Sequence, residues 1–267
     1  MKQRADIALT RRGLAPSRER AQALIIAGRV YIGEQKVSKA SDPVTQEDAL
    51  SVRGEDEGWA SRGAHKLVKA LDRFSVDVSG LTALDIGAAS GGFTDVLLRR
   101  GARHVYAVDV GYGQLDWRLR KDPRVSVMER TNARALTPQM FALAPSLTVM
   151  DVSFISIRLI IPAAALVMGD KGRFVLLVKP QFEAGRALVG KHGVVRDPKT
   201  HEGVLRELRD FAASIGWGIQ ALDYSPIKGP KGNIEFLADI KKGESFVSDQ
   251  EIAELVKIAH GDLNRAT

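Results

Sequence analysis

The chain has 267 residues, is 45% hydrophobic and 27% charged, carries a formal net charge of +7 and contains no cysteine. That composition excludes a disulfide-built scaffold, zinc held on thiolates and any methyl transfer through a cysteine nucleophile. No apolar run reaches the ~18 residues of a membrane span and no apolar segment follows the charged start, so a cytoplasmic protein is expected, with a polyanion favoured as partner.

The charge is concentrated at the start. Residues 1–40 hold nine Lys and Arg against three acids, an excess of six out of the total of +7. Within them, Ile7, Leu9 and Leu14 form an apolar pattern and Gly13 reads as a helix stop. Ser17 is the candidate N-cap of a second helix whose apolar side includes Ala21, Leu24 and Ile25, and Gly28 ends it. Val30-Tyr31-Ile32, Gly33-Glu34 and Lys36-Val37 read as a small hairpin. Arg18 and Arg20 occupy the first turn of the second helix, where the macrodipole disfavours cations, and a docked phosphate would relieve that cost. The pattern Arg4-x-Asp6-x-x-Leu9-x-x-x-Gly13-Leu14-x-x-Ser17-Arg18-x-x-Ala21, continued by Ala27-Gly28-x-Val30-x-Ile32, resembles the RNA-binding module named for ribosomal protein S-four, over about residues 3–50. The resemblance implies that a basic face binds structured RNA, with Arg4, Arg11, Arg18 and Arg20, and Arg62 beyond them, as the candidate contacts.

Glu55-Asp56-Glu57-Gly58 is acidic and expected to be exposed. The expected organisation is an S-four-like domain over residues 1–58, a linker over 59–62 and a larger domain over 63–267. Arg62 to Leu71 reads as a helix with Leu67, Ala70, Leu71 and Phe74 inward.

Next comes a strand, Leu81 to Ile86, then the turn Gly87-Ala88-Ala89-Ser90-Gly91-Gly92, then a helix through Asp95 to Arg100. Strand, glycine turn and helix open a nucleotide-type site, because glycines let the backbone approach a ligand closely. The spacing is not that of a dinucleotide binder, and no Gly-Lys-Ser/Thr closes a P-loop. Asp85 at the strand end suits a ligand with an ammonium group rather than a pyrophosphate. Asp109, ending the next strand His104 to Val108, can accept hydrogen bonds from ribose hydroxyls. S-adenosylmethionine combines ammonium and ribose without phosphate. Asp-x-Gly-x-x-x-Gly-Gly-Phe-Thr resembles the cofactor loop of methyltransferases that act on RNA ribose, which implies a cofactor set of Asp85, Gly87, Ser90, Gly91, Gly92, Phe93, Thr94, Asp109, Val110, Asn132 and Asp151.

Further strands are read at Val125–Met128, Leu147–Met150, Arg173–Val178, Ile219–Tyr224 and Ile234–Ile240. Helices are read over Ile157–Val167 and His201–Ser214, with loops over 183–197 and 225–233. Ser248-Asp249-Gln250-Glu251 is a capping box for a last helix whose apolar face is Ile252, Leu255, Val256 and Ala259. The alternation predicts an α/β fold with a Rossmann-like, mostly parallel sheet, joined to a small N-terminal α+β domain. The last strand is expected to run antiparallel, so that Glu235 at its start lies at the same edge as the site.

In such sheets ligands lie beyond the carboxyl ends of the strands. Asp85, Asp109, Asp151 and Lys179 all fall there and should converge. Lys66, Asp151, Lys179 and Glu235 resemble the Lys-Asp-Lys-Glu set of FtsJ-type ribose 2′-O-methyltransferases. With the N-terminal module, the whole chain resembles the TlyA family, often labelled hemolysins. Supporting segments are Ser61 to Leu67, Asp109 to Leu115, Glu129 to Asn132, Asp151 to Ser156, Val178 to Glu183 and Gly232 to Glu235. The resemblance implies methylation of a ribose 2′-hydroxyl, on cytidine, in 16S or 23S ribosomal RNA of the ribosomal subunits. Lys179 would be base or alkoxide stabiliser, Lys66 would orient the hydroxyl, and Asp151 and Glu235 would position the two amines. No metal, membrane or obligate protein partner is expected. Base-nitrogen methylation is disfavoured because Asp151-Val152-Ser153-Phe154 lacks the prolines of that motif. An assembly factor without catalysis is disfavoured by the intact glycines, and a membrane-lytic protein by the absence of a span.

Overall fold

Short apolar runs punctuated by glycine produce two compact units in the computed structural model, Met1–Arg62 and Gly63–Thr267. The structure describes residues 2–26, 28–53 and 58–265. The acidic residues Glu55, Asp56 and Glu57 of the expected boundary lie outside the described residues.

The first unit contains β1 (Gln3–Arg4), α1 (Ala5–Arg11), α2 (Arg18–Ile26), β2 (Val30–Ile32), β3 (Gln35–Lys36), β4 (Pro43–Val44) and β5 (Leu50–Val52). Strand β1 pairs with β4, and β2 lies between β3 and β5, all antiparallel. The expected helix signals operate. The Ser17 hydroxyl accepts from the Arg20 backbone N–H at 3.2 Å, and Gly13 and Gly28 take positive φ where α1 and α2 end. Ala8, Leu9, Ala21, Leu24, Ile25, Val30 and Val44 close into one small core. So small a core makes each member costly to lose, about 2–5 kcal/mol for a Leu9→Ala cavity.

The second unit contains α3 (Ala64–Arg73), β6 (Thr82–Ile86), α4 (Gly92–Arg99), β7 (His104–Val108), α5 (Trp117–Arg120), β8 (Val125–Met128), β9 (Leu147–Met150), α6 (Ile161–Met168), β10 (Arg173–Val178), α7 (Pro180–Glu183), α8 (Pro198–Ser214), β11 (Trp217–Tyr224), β12 (Phe236–Lys242) and α9 (Asp249–Arg265). One seven-stranded sheet runs in the order β11-β12-β10-β9-β6-β7-β8. Strand β12 is antiparallel to both neighbours, and the pairs from β10 to β8 are parallel. The side-chain period of two divides the faces. Leu84, Ile86, Phe174, Leu176, Val178 and Phe236 share a core with α6, α8 and α9. Asp85 points to the opposite face, where its carboxylate meets Thr94 of α4.

Three local differences have physical reasons. The expected helix over 157–167 is a 3-10 turn, Ile157–Leu159, followed by α6, because Pro162 has no N–H to give and fits only in a first helical turn. Helix α8 begins at Pro198, ahead of the expected His201, because the Asp197 carboxylate accepts from the N–H groups of Lys199 and Thr200. Strand β12 begins at Phe236 rather than 234, because Asn233 is committed to another loop: its Oδ1 accepts from Val195 N–H and its Nδ2 donates to Gly193 O, both at 2.9 Å.

Candidate active site

Parallel register sets Ile86 beside Val108 on one side and Met150 on the other. Gly87, Asp109 and Asp151 therefore leave the sheet together at its carboxyl edge, at the point where strand order reverses. Beneath this edge lies a cleft of about 290 Å³ whose lining includes Gly87, Asp109, Val110, Asn132 and Asp151. These five belong to the expected cofactor set. Gly87 has φ +84°, and a Cβ there would stand 2.7 Å from the Asp151 carbonyl oxygen, so no side chain fits. Gly91, at φ +94°, faces Leu119, which any Cβ would strike.

Asp109 is tied to the glycine turn. Its Oδ2 accepts from Ala89 N–H at 2.9 Å and its Oδ1 from Gly111 N–H at 2.7 Å. A carboxylate has about four acceptor positions, so two remain for a ligand's hydroxyls. Asp85, Phe93 and Thr94 are buried behind the turn and do not line the cleft, and neither do Ser90, Gly91 and Gly92. The Ser90 carbonyl instead accepts from Asp116 N–H. Asn132 lines the cleft with its backbone neighbours while its side chain caps the 3-10 turn at Arg134 N–H, 3.1 Å away.

Asp85 has an unusual environment. It is fully buried, its Oδ2 accepts from Thr94 Oγ1 at 2.6 Å, and its Oδ1 has no hydrogen-bond partner among the described residues. Burial is the main cause that pushes this carboxyl up to about 7, with the charges of Asp151 and Asp109 adding to it and the Thr94 hydrogen bond opposing.

Four charged side chains meet beside the cleft. Lys66, from α3, donates to Glu235 Oε2 at 2.6 Å and stands 3.9 Å from Asp151 Oδ2. Lys179, at the end of β10, lies 2.6 Å from Asp151 Oδ1 and donates to Ser153 Oγ at 2.9 Å. Asp151 thus stands between two lysine Nζ atoms. Glu235 reaches the same edge because β12 is antiparallel, with Val178 paired to Phe236, so its first end adjoins the last end of β10. Lys66, Lys179 and Glu235 are buried, whereas the Asp151 side chain keeps 21% exposure toward the cleft. Two basic and two acidic side chains balance, which makes burial of Lys66, Lys179 and Glu235 tolerable.

Ser153 and Phe154 were not singled out by sequence. Phe154 holds φ +67° and is 90% exposed, an uncommon pairing for a bulky aromatic residue. Its ring lies 5.2 Å from that of Phe182. The two rings, with Arg134, Gln181 and Arg186, line a second groove of about 660 Å³ that shares Phe154 and Ile155 with the first cleft. The available signal was a large aromatic residue three positions beyond a strand-end aspartate.

In the first unit the expected RNA contacts are partly engaged by protein. Arg4 makes two hydrogen bonds to Asp6, at 3.0 and 3.1 Å, and Arg18 a third at 3.1 Å. Asp6 is fully buried, and these partners hold its carboxyl far below the ordinary range, the Arg4 hydrogen bonds foremost. Asp6 therefore supplies the counter-charge for Arg18 at the start of α2, and no docked phosphate is needed to account for it. Arg11 donates to Gln3 Oε1 and Arg20 to the Trp59 carbonyl. Arg4, Arg11, Arg18 and Arg62 remain exposed.

The pattern of the FtsJ-like methyltransferases matches residues 59–242, and that of the S4 domain matches residues 3–50. The chain belongs to the TlyA family of FtsJ-like methyltransferases. It is 48% identical to the 16S/23S rRNA (cytidine-2'-O)-methyltransferase TlyA of Mycobacterium tuberculosis, with 87% of each chain covered. Identity to YqxC of Bacillus subtilis, whose name describes an rRNA methyltransferase, is 45% over 98% of this chain and 95% of that one. A solved structure from Streptococcus thermophilus, carrying a hemolysin label, superposes with a TM-score of 0.81 at 42% identity, covering 99% of this chain and 98% of that one. Among the described residues of this family member, no helix is long and apolar enough to cross a membrane.

Proposed function

We propose that this chain transfers a methyl group from S-adenosylmethionine to the 2′-hydroxyl of a cytidine in 16S or 23S ribosomal RNA. The observation that carries the chemistry is the Lys66–Asp151–Lys179–Glu235 cluster at the mouth of the cleft.

The cleft suits the cofactor on three counts. Gly87 leaves room where a Cβ would fill the floor. Asp109 keeps free acceptor positions for ribose hydroxyls. Asp109 and Asp151 place two carboxylates in the lining, which favours a cationic ligand there. Bound S-adenosylmethionine supplies an activated methyl on a sulfonium, so the chain's own residues need only align the hydroxyl and deal with its proton.

Lys179 is the group that acts on the 2′-oxygen. As an amine it removes the proton; as an ammonium it stabilises the growing negative charge. Asp151 and Ser153 fix its position, at 2.6 and 2.9 Å. Lys66 is held by Glu235 and directs a donor toward the same space. Phe154 offers a base a flat face next to the groove, a contact of about 1–3 kcal/mol per stacked base. The S4-type unit, through the basic residues of its first 40 positions, holds the structured RNA.

Methyl transfer to isolated ribosomal subunits, read by resistance of the modified linkage to alkaline hydrolysis, tests the reading. A 2′-O-methyl group blocks that cleavage, and methylation of a base does not.

A further inference from the structure

The reacting centre contributes no surplus positive charge, because Lys66 and Lys179 are matched by Asp151 and Glu235. Handling of backbone phosphate near the target must therefore fall to other residues of the second unit. One cleft there is lined differently. It has a volume of about 400 Å³ and is bordered by Arg196, Lys228, Lys231 and His260, with Asn264 and the backbone around Val195 and Gly232. Among the described residues, no carboxylate lines it. Among the described residues, the neighbouring acids bond elsewhere: Asp197 caps α8 through Lys199 N–H, Thr200 N–H and the Thr200 hydroxyl, with its charge still felt by His260, and Asp262 accepts from Tyr224 OH at 2.6 Å. Arg196, Lys228 and Lys231 bring three basic side chains to one space, and an anion entering it would be attracted.

The cleft is also built rigidly and in a telling place. Asn233, 2% exposed, fastens the loop of Gly193 and Val195 to the segment that precedes Glu235. Gly229 and Gly232 close a tight turn through a 2.8 Å backbone hydrogen bond, and Gly229 N–H bonds Asn233 O at 2.9 Å. A Cβ on Gly229 would stand 2.5 Å from Glu235 Oε1. The turn that carries Lys228 and Lys231 is thus the turn that delivers Glu235 to the reacting centre. Lys228 is steadied by Asn264, Nζ to Oδ1 at 3.1 Å.

We propose that this basic cleft binds a backbone phosphate of the RNA strand that carries the methylated nucleotide, so that the same turn positions Glu235 and anchors the substrate. The inference rests on the reading that the chain methylates RNA. The shared chemistry is that of a phosphate group, and a free anion is the competing source.

The test uses the full chain with three variants: Lys231→Glu, Lys228→Ala/Lys231→Ala, and Arg196→Ala. Steady-state methyl transfer to ribosomal subunits should show a KM for RNA raised about tenfold with kcat little changed. The salt slope of RNA binding should shrink by ~0.7–0.9 for each phosphate that is no longer neutralised. Calorimetric affinity for S-adenosylmethionine should equal that of the wild type, which checks that the fold is intact; Lys231, being exposed, gives a folded variant even if the double variant does not fold. Inorganic phosphate should compete with RNA in the wild type and lose that effect in Lys231→Glu. Variants with wild-type KM and salt slope would overturn the proposal. So would phosphate binding that the variants abolish while RNA affinity stays unchanged, which would make this a free-anion site. A wild-type enzyme that methylates no RNA would instead defeat the function on which the inference rests.

Discussion

Lys179 Nζ meets Asp151 Oδ1 at 2.6 Å across the adjacent parallel strands β10 and β9. Each residue follows the last residue of its strand, so the sheet itself sets the contact. A pair so placed acts on whatever lies beyond the carboxyl edge. Lys179→Ala should lower single-turnover methyl transfer by ~10²–10⁴-fold, the usual loss for a positioned acid–base group, with cofactor and RNA binding nearly unchanged. Lys179→Arg separates the two roles, because a guanidinium stays protonated. An inactive Arg variant identifies Lys179 as the base, and a variant with near-wild-type turnover identifies it as a charge stabiliser. Loss of RNA binding in Lys179→Ala would contradict both roles.

Asp109 both shapes the glycine turn and presents acceptors to the cleft. Asp109→Ala should weaken S-adenosylmethionine binding by about 0.5–1.5 kcal/mol for each hydrogen bond removed. Isothermal calorimetry reads this directly. Unchanged affinity would remove Asp109 from the cofactor site.

Asp85 gives the fold a pH dependence. Its carboxyl is pushed up to about 7, mainly by burial, so the folded protein binds a proton that the unfolded chain has already released. The sign follows: this contribution is fully present below the unfolded value near 4 and is lost as pH rises toward 7, with a limiting slope of about 1.4 kcal/mol per pH unit. Denaturant unfolding from pH 4 to 8 without cofactor should show the decline superimposed on other groups, and Asp85→Asn should flatten it. A wild type and an Asp85→Asn variant with the same pH dependence of stability would show that Asp85 does not titrate in this range.

The first unit opens on a basic stretch, nine Lys and Arg against three acids over residues 1–40, and carries its own core, so it should be separable. Residues 59–267 alone should fold, unfold cooperatively and bind S-adenosylmethionine, while losing affinity for ribosomal RNA and part of the salt dependence of binding. Filter binding at several salt concentrations measures both. A truncated chain that methylates subunits as well as the full one would contradict a docking role for Arg4, Arg11, Arg18 and Arg20.

Much of the site was legible because parallel sheets place function at strand ends. Asp109, Asp151 and Lys179 each follow an apolar run, and register then brings them to one edge; Asp85, expected with them, lies one residue inside β6 and turns its carboxylate to Thr94 behind the glycine turn. Lys66 and Glu235 were legible through resemblance alone. One depends on how α3 packs, and the other on a strand whose antiparallel course no local pattern reveals. Arg18 shows the limit from the other side. Its place in a helix's first turn suggested a bound phosphate, yet the counter-charge is Asp6, twelve residues earlier and brought near by the packing of α1 on α2. The one-turn helix α5 is too short to show a periodicity, and the exposure of Phe154 depends on a backbone turn with positive φ that a phenylalanine does not advertise.

Nucleoside mass spectrometry of ribosomal RNA, after incubating unmodified subunits with the purified chain and S-adenosylmethionine, tests the central claim most directly. The expected product is 2′-O-methylcytidine, formed by the wild type and absent with Lys179→Ala. Methylation on a base, or RNA that gains no methyl group while the protein binds both cofactor and subunits, would contradict it.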